Sequence, residues 1–310
     1  MAGDHDAVPL CRATAAFLRV SDLCRALVVA VGKNSAWLSL DGVGGLVLAS
    51  LRRSLGKRSM PVPGDRLWVR PLQGGGVVIE RLEARESSIE RRTPEGRSKT
   101  MAANVDTLVV VSSFADPPVR TLTLDQLVAF AALHEVEPVI VFTKPDLAAD
   151  DQERVLVDLY RGLGYQVLVI NPKRGENVEA LRLLLAGRAA LLVGPSGVGK
   201  SSIFRALGGE AVVGELSRRG LGRATTSTAR LYRGTDGFLI DSPGVADFGL
   251  GPLACAQLAG AFVDLASRRC RFRDCRHLEE PDCEVRRAVD GGQIAQSRYD
   301  SYCKLLAESP

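Results

Sequence analysis

Ala189-Ala-Leu-Leu-Val193 runs directly into Gly194-Pro-Ser-Gly-Val-Gly199-Lys200-Ser201. An apolar run of strand length, the pattern Gly-x-x-x-x-Gly-Lys-Ser and a helical pattern from Lys200 form a phosphate-binding loop in its expected setting. Glycines let the chain pass close to phosphate oxygens, which the backbone N–H groups and the helix N-terminus receive. Gly194, Pro195, Ser196, Gly197, Val198, Gly199, Lys200, Ser201 and Ser202 are therefore candidate nucleotide contacts. Lys200 would reach the β and γ phosphates, and the Ser201 hydroxyl would coordinate Mg²⁺.

Upstream of the loop, compact apolar strands are expected at Val105 to Ser112, Val139 to Phe142 and Gln166 to Ile170. Helical patterns lie between them at Asp125 to Glu135, Asp151 to Leu163 and Asn177 to Leu185. This alternation predicts an α/β domain with a parallel sheet covered on both faces.

Two further segments complete the candidate site. Phe238-Leu-Ile-Asp241-Ser-Pro-Gly244 is an apolar strand ending in Asp-x-x-Gly; Asp241 can hold the metal ion through a water, and the Gly244 amide can sense the γ-phosphate. Thr143-Lys144-Pro-Asp146 closes the strand Val139 to Phe142 and resembles the GTPase base motif Asn-Lys-x-Asp, with Thr143 in the asparagine position. The Asp146 carboxylate can accept hydrogen bonds from guanine N1–H and the 2-amino group, a pair adenine lacks. Guanine is the predicted base. Asn171 to Lys173, after the next strand, should be the remaining base-proximal loop, although it departs from the usual Ser-Ala-Lys wording.

Farther upstream, Ala26 to Val31, Ala36 to Leu40, Gly45 to Ala49, Asp65 to Arg70 and Gly76 to Leu82 are short β-like runs separated by glycine and proline. They predict a five-stranded OB-type barrel, a fold that often presents a face to oligonucleotides. Glu90 to Lys99 (ERRTPEGRSK) reads as an exposed linker.

Near the other end, Cys270-x4-Cys275-x-His277-x5-Cys283 offers three thiolates and one imidazole, a closed set typical of structural Zn²⁺ rather than a catalytic site. An odd total of seven cysteines fits metal ligation in a reducing compartment better than a disulfide framework. Arg268, Arg269, Arg271, Arg273 and Arg276 interleave with the ligands, while Arg218, Arg219, Arg223, Arg230 and Arg233 flank the stretch Gly222 to Thr226. Arranged beside a barrel and a metal module, they suit RNA phosphates, with binding that weakens steeply in salt.

In ordinary GTPases the phosphate loop precedes the base motif; here the base motif comes first. A sheet keeps no record of which strand the chain visits first, so a cyclic permutation preserves the pocket when the old termini lie close together. With this order, the chain resembles the RsgA (YjeQ) family of circularly permuted, small-ribosomal-subunit-dependent GTPases. Pro63-Gly64-Asp65, Ala103-Asn104-Val105-Asp106, the permuted nucleotide motifs, Gly222-Arg223-Ala224-Thr225-Thr226 and the cysteine cluster carry the resemblance. It implies an OB barrel, a permuted GTPase domain, a zinc-binding C-terminal domain and a role in late assembly of the small subunit. It also implies that Thr225 or Thr226 completes the Mg²⁺ shell, with Thr226 placed beside Ser201 and Asp241 in that set. The family commonly has histidine, linked to hydrolysis, where this chain has Ala224, and Val245 stands where Ras-like enzymes place a water-orienting glutamine. Slow intrinsic hydrolysis, accelerated by a group from the subunit, is expected. Because Gly244 lies shortly before Cys270, γ-phosphate contacts could also reposition the zinc module.

The whole chain fits these readings. Its 310 residues, 46% apolar and 25% charged, exclude a disulfide scaffold, a fibre and a disordered chain. Its longest apolar run, Leu183 to Val193, is short of the roughly 18 residues a membrane span needs and contains Arg188. Residues 1–22, with Asp4, His5 and Asp6 near the start, read as a flexible leader rather than a secretory signal. A net charge of +4 does not by itself demand a nucleic-acid partner. The expected organisation is leader 1–22, barrel 23–95, permuted GTPase domain 96–254 and zinc-binding domain 255–310, in a cytoplasmic monomer that binds GTP, GDP and the small subunit's rRNA. The competing readings are an RNA-binding adaptor with a regulatory, barely hydrolytic nucleotide site, and a P-loop ATPase or kinase.

Overall fold

The structure, a computed structural model, describes residues 23–32, 34–42, 45–51, 60–72, 76–92, 98–149, 151–209, 230–233, 237–241 and 249–309. Its first five strands are β1 (Cys24–Val31), β2 (Ser35–Leu40), β3 (Leu46–Ser50), β4 (Arg66–Pro71) and β5 (Val77–Leu82). β1 pairs antiparallel with both β2 and β4, and β5 lies between β3 and β4, so the sheet closes into a barrel. Val28, Leu38, Leu40, Val47, Leu67 and Val69 fill its interior. These bounds fall within two residues of those expected from the glycine and proline punctuation.

The expected linker is a correction. Ser88–Arg92 (β6) and Ser98–Ala103 (β7) pair antiparallel, so the ends of the basic stretch belong to a hairpin. Its charges mask a short apolar set: Ile89, Ala102 and Ala103 are all fully buried. Below the hairpin, Asn104 joins it to the barrel. Its side-chain amide donates to Gly64 O (2.8 Å) and its carbonyl accepts from Glu86 N (2.9 Å). Gly64 has φ +90°, and a Cβ there would sit 2.1 Å from Ala103 O, so only glycine permits this approach.

The α/β unit follows with β8 (Thr107–Ser113), α1 (Thr121–Leu133), β9 (Glu137–Thr143), α2 (Gln152–Gly162), β10 (Gln166–Ile170), α3 (Val178–Leu184), β11 (Ala189–Val193) and α4 (Lys200–Phe204). Strands β10, β9, β8 and β11 are parallel neighbours in that order. β8 is buried at all seven positions, which explains its unbroken apolar run. Leu108 and Val110 pack with residues of α1 and α2 on one face. Val109 and Val111 pack with α3 and α4 on the other.

Beyond β11 lie β13 (Phe238–Asp241), parallel to it, and β12 (Arg230–Arg233), which pairs antiparallel with β13 and also meets β1. Barrel and α/β sheet thus share one hydrogen-bonded strand system.

Four helices end the described chain: α5 (Cys255–Gly260), α6 (Val263–Ala266), α7 (Glu284–Asp290) and α8 (Gln296–Ala307). Leu258, Phe262, Leu265, Val285, Tyr302 and Leu305 form their core, and Ala129 of α1 joins it. The seam with the α/β unit is also ionic. Arg298 of α8, 1% exposed, donates to Asp125 of α1 (2.6 Å) and to Asp264 of α6 (2.7 and 3.2 Å), with its guanidinium 4.5 Å from the Phe262 ring centre. The Tyr160 hydroxyl of α2 donates to the same Asp125 oxygen (2.8 Å).

Candidate nucleotide and metal sites

The chain passes from β8 outward to β9 and β10, then returns to the other side of β8 as β11. At such a reversal the carboxyl ends of neighbouring strands diverge and leave a crevice. The loops after β8, β9, β10 and β11 lie at those carboxyl ends; the last three hold sequence-predicted segments, at Thr143 to Asp146, Asn171 to Lys173 and Gly194 to Ser202, and the loop after β8 holds none.

At the phosphate end, backbone geometry explains the glycines. Gly194 has φ +141°, and a Cβ there would lie 2.2 Å from Val111 O. Gly199, at φ +101°, begins α4. The Lys200 ammonium, 6% exposed, turns inward and donates to Gly194 O (2.7 Å) and Pro195 O (2.6 Å). Burial lowers its pKa, opposed by the nearby charge of Asp241. Ser201 Oγ donates to Asp241 Oδ2 over 3.4 Å, bringing together two oxygen groups suited to a hard cation. Thr225, Thr226 and Gly244, with Ala224 and Val245, lie outside the described residues.

At the base end, Thr143, Lys144, Asp146, Asn171, Lys173 and Ser202 are among the residues lining a cavity of about 160 Å³. The Thr143 side chain is buried and its Oγ1 lies 2.6 Å from Val198 O and 3.3 Å from Ser112 O, bridging base motif and phosphate loop. Lys144, at φ +57°, hydrogen-bonds through Nζ to Asp116 O. Asp146 Oδ1 accepts a 2.9 Å hydrogen bond from Asn171 Nδ2. Asn171 is itself fixed by backbone bonds to Glu176 in both directions, which shape the loop after β10. The sequence placed Asn171 near the base through its strand-end position; its bond to Asp146 had no sequence signal.

The second site also assembles. One ligand atom from each of Cys270, Cys275, His277 and Cys283 lies within 4.8 Å of the others. Cys270 Sγ is 3.8 Å from Cys283 Sγ, and His277 Nδ1 is 3.5 and 3.6 Å from those two sulfurs. Tetrahedral bonds of about 2.3 Å to sulfur place two thiolates about this far apart, so the donor set fits a bound metal ion. Burial, reinforced by the neighbouring thiols, pushes Cys275 up to about 12, so a cation would have to displace its proton. Tyr299 and Tyr302 of α8 donate to His277 O (2.6 Å) and Arg276 O (2.8 Å) and hold the ligand loop. Among the described residues, no helix is long and apolar enough to cross a membrane.

Comparison with known proteins places these sites in context. The profile described as RsgA GTPase matches residues 82–251. The small ribosomal subunit biogenesis GTPase RsgA of Haemophilus influenzae (strain PittGG) is 38% identical over 276 residues, covering 85% of this chain and 79% of that one. Its namesake in Yersinia enterocolitica is 40% identical over 262 residues, covering 79% and 75%. The crystal structure of YjeQ from Thermotoga maritima superposes with a TM-score of 0.75 at 30% identity, covering 92% of this chain and 98% of that one. YloQ, described as a circularly permuted GTPase, gives 0.70 at 23% identity over 93% and 96%, a likeness of fold.

Proposed function

This chain belongs to the RsgA GTPase family, and we propose that it binds GTP across the crevice, hydrolyses it to GDP and phosphate, and acts on the small ribosomal subunit during its maturation. The observation that carries this reading is the Thr143 to Val198 hydrogen bond, which joins base motif and phosphate loop in one pocket although 55 residues separate them. Asp146 accepts from guanine N1–H and the 2-amino group. Main-chain amides of residues 194–199 receive the phosphates, with Gly194, Pro195, Ser196, Gly197, Val198 and Gly199 forming the cradle and Ser202 closing it. Lys200 leaves the two loop carbonyls to meet the β and γ phosphates.

Ser201, Thr226 or its neighbour Thr225, and Asp241 through a water are the residues that hold Mg²⁺, which neutralises charge on the transferring phosphoryl group. The Gly244 amide contacts the γ-phosphate. Neither Ala224 nor Val245 can orient the attacking water, so the subunit supplies that group and intrinsic turnover is slow. Cys270, Cys275, His277 and Cys283 hold one structural Zn²⁺. The barrel, taken as 23–95, and the zinc-binding domain, 255–310, bind rRNA on either side of the GTPase domain, 96–254, after a leader of 1–22; the chain works as a cytoplasmic monomer.

GTP turnover measured with and without purified small subunits, over a salt series, tests this reading. Stimulation that declines as salt rises is expected. Rapid turnover by the protein alone contradicts the missing water-positioning group, and turnover that stays negligible with subunits favours a regulatory adaptor.

A further inference from the structure

Helix α1 lies between the phosphate loop and the C-terminal helices, and its faces divide between them. Leu122, Ala129 and Leu133 pack into the C-terminal core. Thr123, Leu124, Gln126 and Leu127 line the cavity bordered by Pro195, Ser196 and Val198 of the phosphate loop. Asp125 stands between two of these cavity residues in the sequence but turns to α8, where it accepts from Arg298. The loop leading into α1 also touches the phosphate loop, since a Cβ on Gly197 would lie 3.4 Å from Pro117 Cδ. A shift of Asp125 along the seam therefore moves the wall of the phosphate end.

On the other side of the seam, rings in contact lead from Arg298 to a metal ligand. Its guanidinium lies over Phe262, Phe262 meets Tyr302 edge-on with ring centres 5.8 Å apart, and the Tyr302 ring is 5.9 Å from that of His277. Arg298 and Tyr302 are four residues apart on α8 and share one of its faces. His277 has φ +62°, uncommon outside glycine, and the bond from the Tyr299 hydroxyl to its carbonyl supports that turn. We propose that α8 is a coupling element: through the path His277, Tyr302, Phe262, Arg298, Asp125 the metal-ligand loop and the phosphate end each set how tightly the other binds. The inference rests on the nucleotide and metal sites described above.

The ion pair makes the path stiff. Arg298 is shared by the buried carboxylates of Asp125 and Asp264, and a guanidinium is a rigid planar fork. When α8 shifts, Asp125 follows or a buried charge loses its partner, so α1 moves with α8. A metal ion held by the four ligands fixes the His277 ring and, through the bonds from Tyr299 and Tyr302, the near side of α8. From the opposite end, phosphate draws Lys200 off its two carbonyls and re-forms the loop against α1. Two ligands that order opposite ends of one packed element each lower the ordering cost of the other, and the two effects are equal by linkage.

The test is the Zn²⁺ affinity of the full chain, measured by competition with a chromophoric chelator at fixed excess Mg²⁺, with and without saturating GDP. GDP has no γ-phosphate, so this measurement leaves out any coupling that runs through γ-phosphate contacts. GDP should tighten Zn²⁺ binding by about 5- to 20-fold, and Zn²⁺ should tighten GDP binding by the same factor. IDP, whose base lacks the 2-amino group, should give that factor too, because the path ends at the phosphates. Arg298→Met keeps an apolar stem on Phe262 but removes the ionic bond, and its factor should fall to within about twofold of unity while both ligands still bind. Asp125→Asn, which keeps an acceptor oxygen, does the same with less risk to folding. Tyr302→Phe retains the ring contacts and should retain the factor, whereas Tyr302→Leu should lose it. Val285→Ala loosens the same core away from the path and should leave the factor unchanged.

A wild-type factor near unity overturns the proposal, as does a factor seen with a GTP analogue but not with GDP. Full coupling in both Arg298→Met and Asp125→Asn, or an equal fall in Val285→Ala, overturns the path. Failure of wild-type protein to bind GDP or Zn²⁺ at all shows in the single-ligand titrations and removes the underlying site reading, whereas normal binding of both without coupling removes only this inference.

Discussion

The two ends of the nucleotide crevice stand in different states of readiness. At the base end, Asp146 is already held by Asn171, and the loop carrying Asn171 is closed by its own backbone bonds. At the phosphate end, the cation that should meet phosphate is occupied within the protein, with Lys200 satisfied by the carbonyls of Gly194 and Pro195. A base entering the first region finds its acceptor oriented. Phosphate entering the second must exchange two internal hydrogen bonds and the burial of an ammonium for its own contacts. Base recognition is thus preorganised, while phosphate recognition includes a rearrangement.

The supports behind the two ends also differ. The base end rests on the loops after β9 and β10. The phosphate end shares a cavity of about 360 Å³ with α1, lined by Ser112, Arg120, Leu127, Pro195, Ser196 and Val198 among others. α1 is in turn fixed to the C-terminal helices by the buried Arg298 to Asp125 bond. α8 bears Arg298 on one side and Tyr299 and Tyr302 on the metal-ligand loop, so it links that loop to the wall of the phosphate end. This gives the metal-ligand loop a route to the nucleotide crevice through packed helices, beside the sequence connection through residues 242–248, which lie outside the described set.

The largest expected effect breaks the contrast from behind. Arg298→Ala leaves two buried carboxylates without their cation and should lower unfolding stability by about 3–5 kcal/mol; in denaturant titrations Arg298→Met should lose less. In protein that remains folded, GDP affinity should fall while the GDP to IDP ratio holds, and a changed ratio would show that the base end depends on this seam as well.

Next in size, Lys200→Ala should cost about 10²-fold in affinity for GTP, from the loss of a charged hydrogen bond to phosphate. Calorimetry should find the same factor for ITP. A variant that kept its affinity would mean that Lys200 remains on the loop carbonyls when nucleotide is bound.

The smallest effect sharpens the picture of the phosphate end. Asp241→Asn keeps the shape of the Ser201 partner but removes its charge, and the Mg²⁺ concentration giving half-maximal GTP binding should rise by about tenfold, in the range reported for partners behind metal ligands. Nucleotide binding without Mg²⁺ should change little, as a filter-binding series would register.

How much of this was legible depended on whether a signal was local. The phosphate loop and Thr143 to Asp146 could be read because each sits at the end of an apolar strand, where glycine or a polar residue breaks an otherwise continuous pattern. The hairpin at 88–103 was hidden because Arg91, Arg92 and Lys99 lie in a charged stretch whose inward residues, Ile89, Ala102 and Ala103, fall outside it. Arg298 looks like a surface residue in the polar segment Gln296 to Ser301; its burial is created by Asp125, 173 positions away, and Asp264, 34 away. The bond from Asn171 to Asp146 likewise spans 25 positions and depends on a loop whose ends are joined by backbone bonds between Asn171 and Glu176. Long-range polar pairing has no periodicity, so it emerges only once the strands are in register.

Competition between guanine and adenine nucleotides is the most direct test that the permuted segments form one guanine-reading GTPase site. With Mg²⁺ and a fluorescent GDP analogue bound to wild-type protein, unlabelled GDP and GTP should displace the probe at concentrations at least about 10³-fold below those required of ADP and ATP, because adenine offers the Asp146 carboxylate neither an N1–H nor a 2-amino donor. Equal displacement by the two purines would contradict the account.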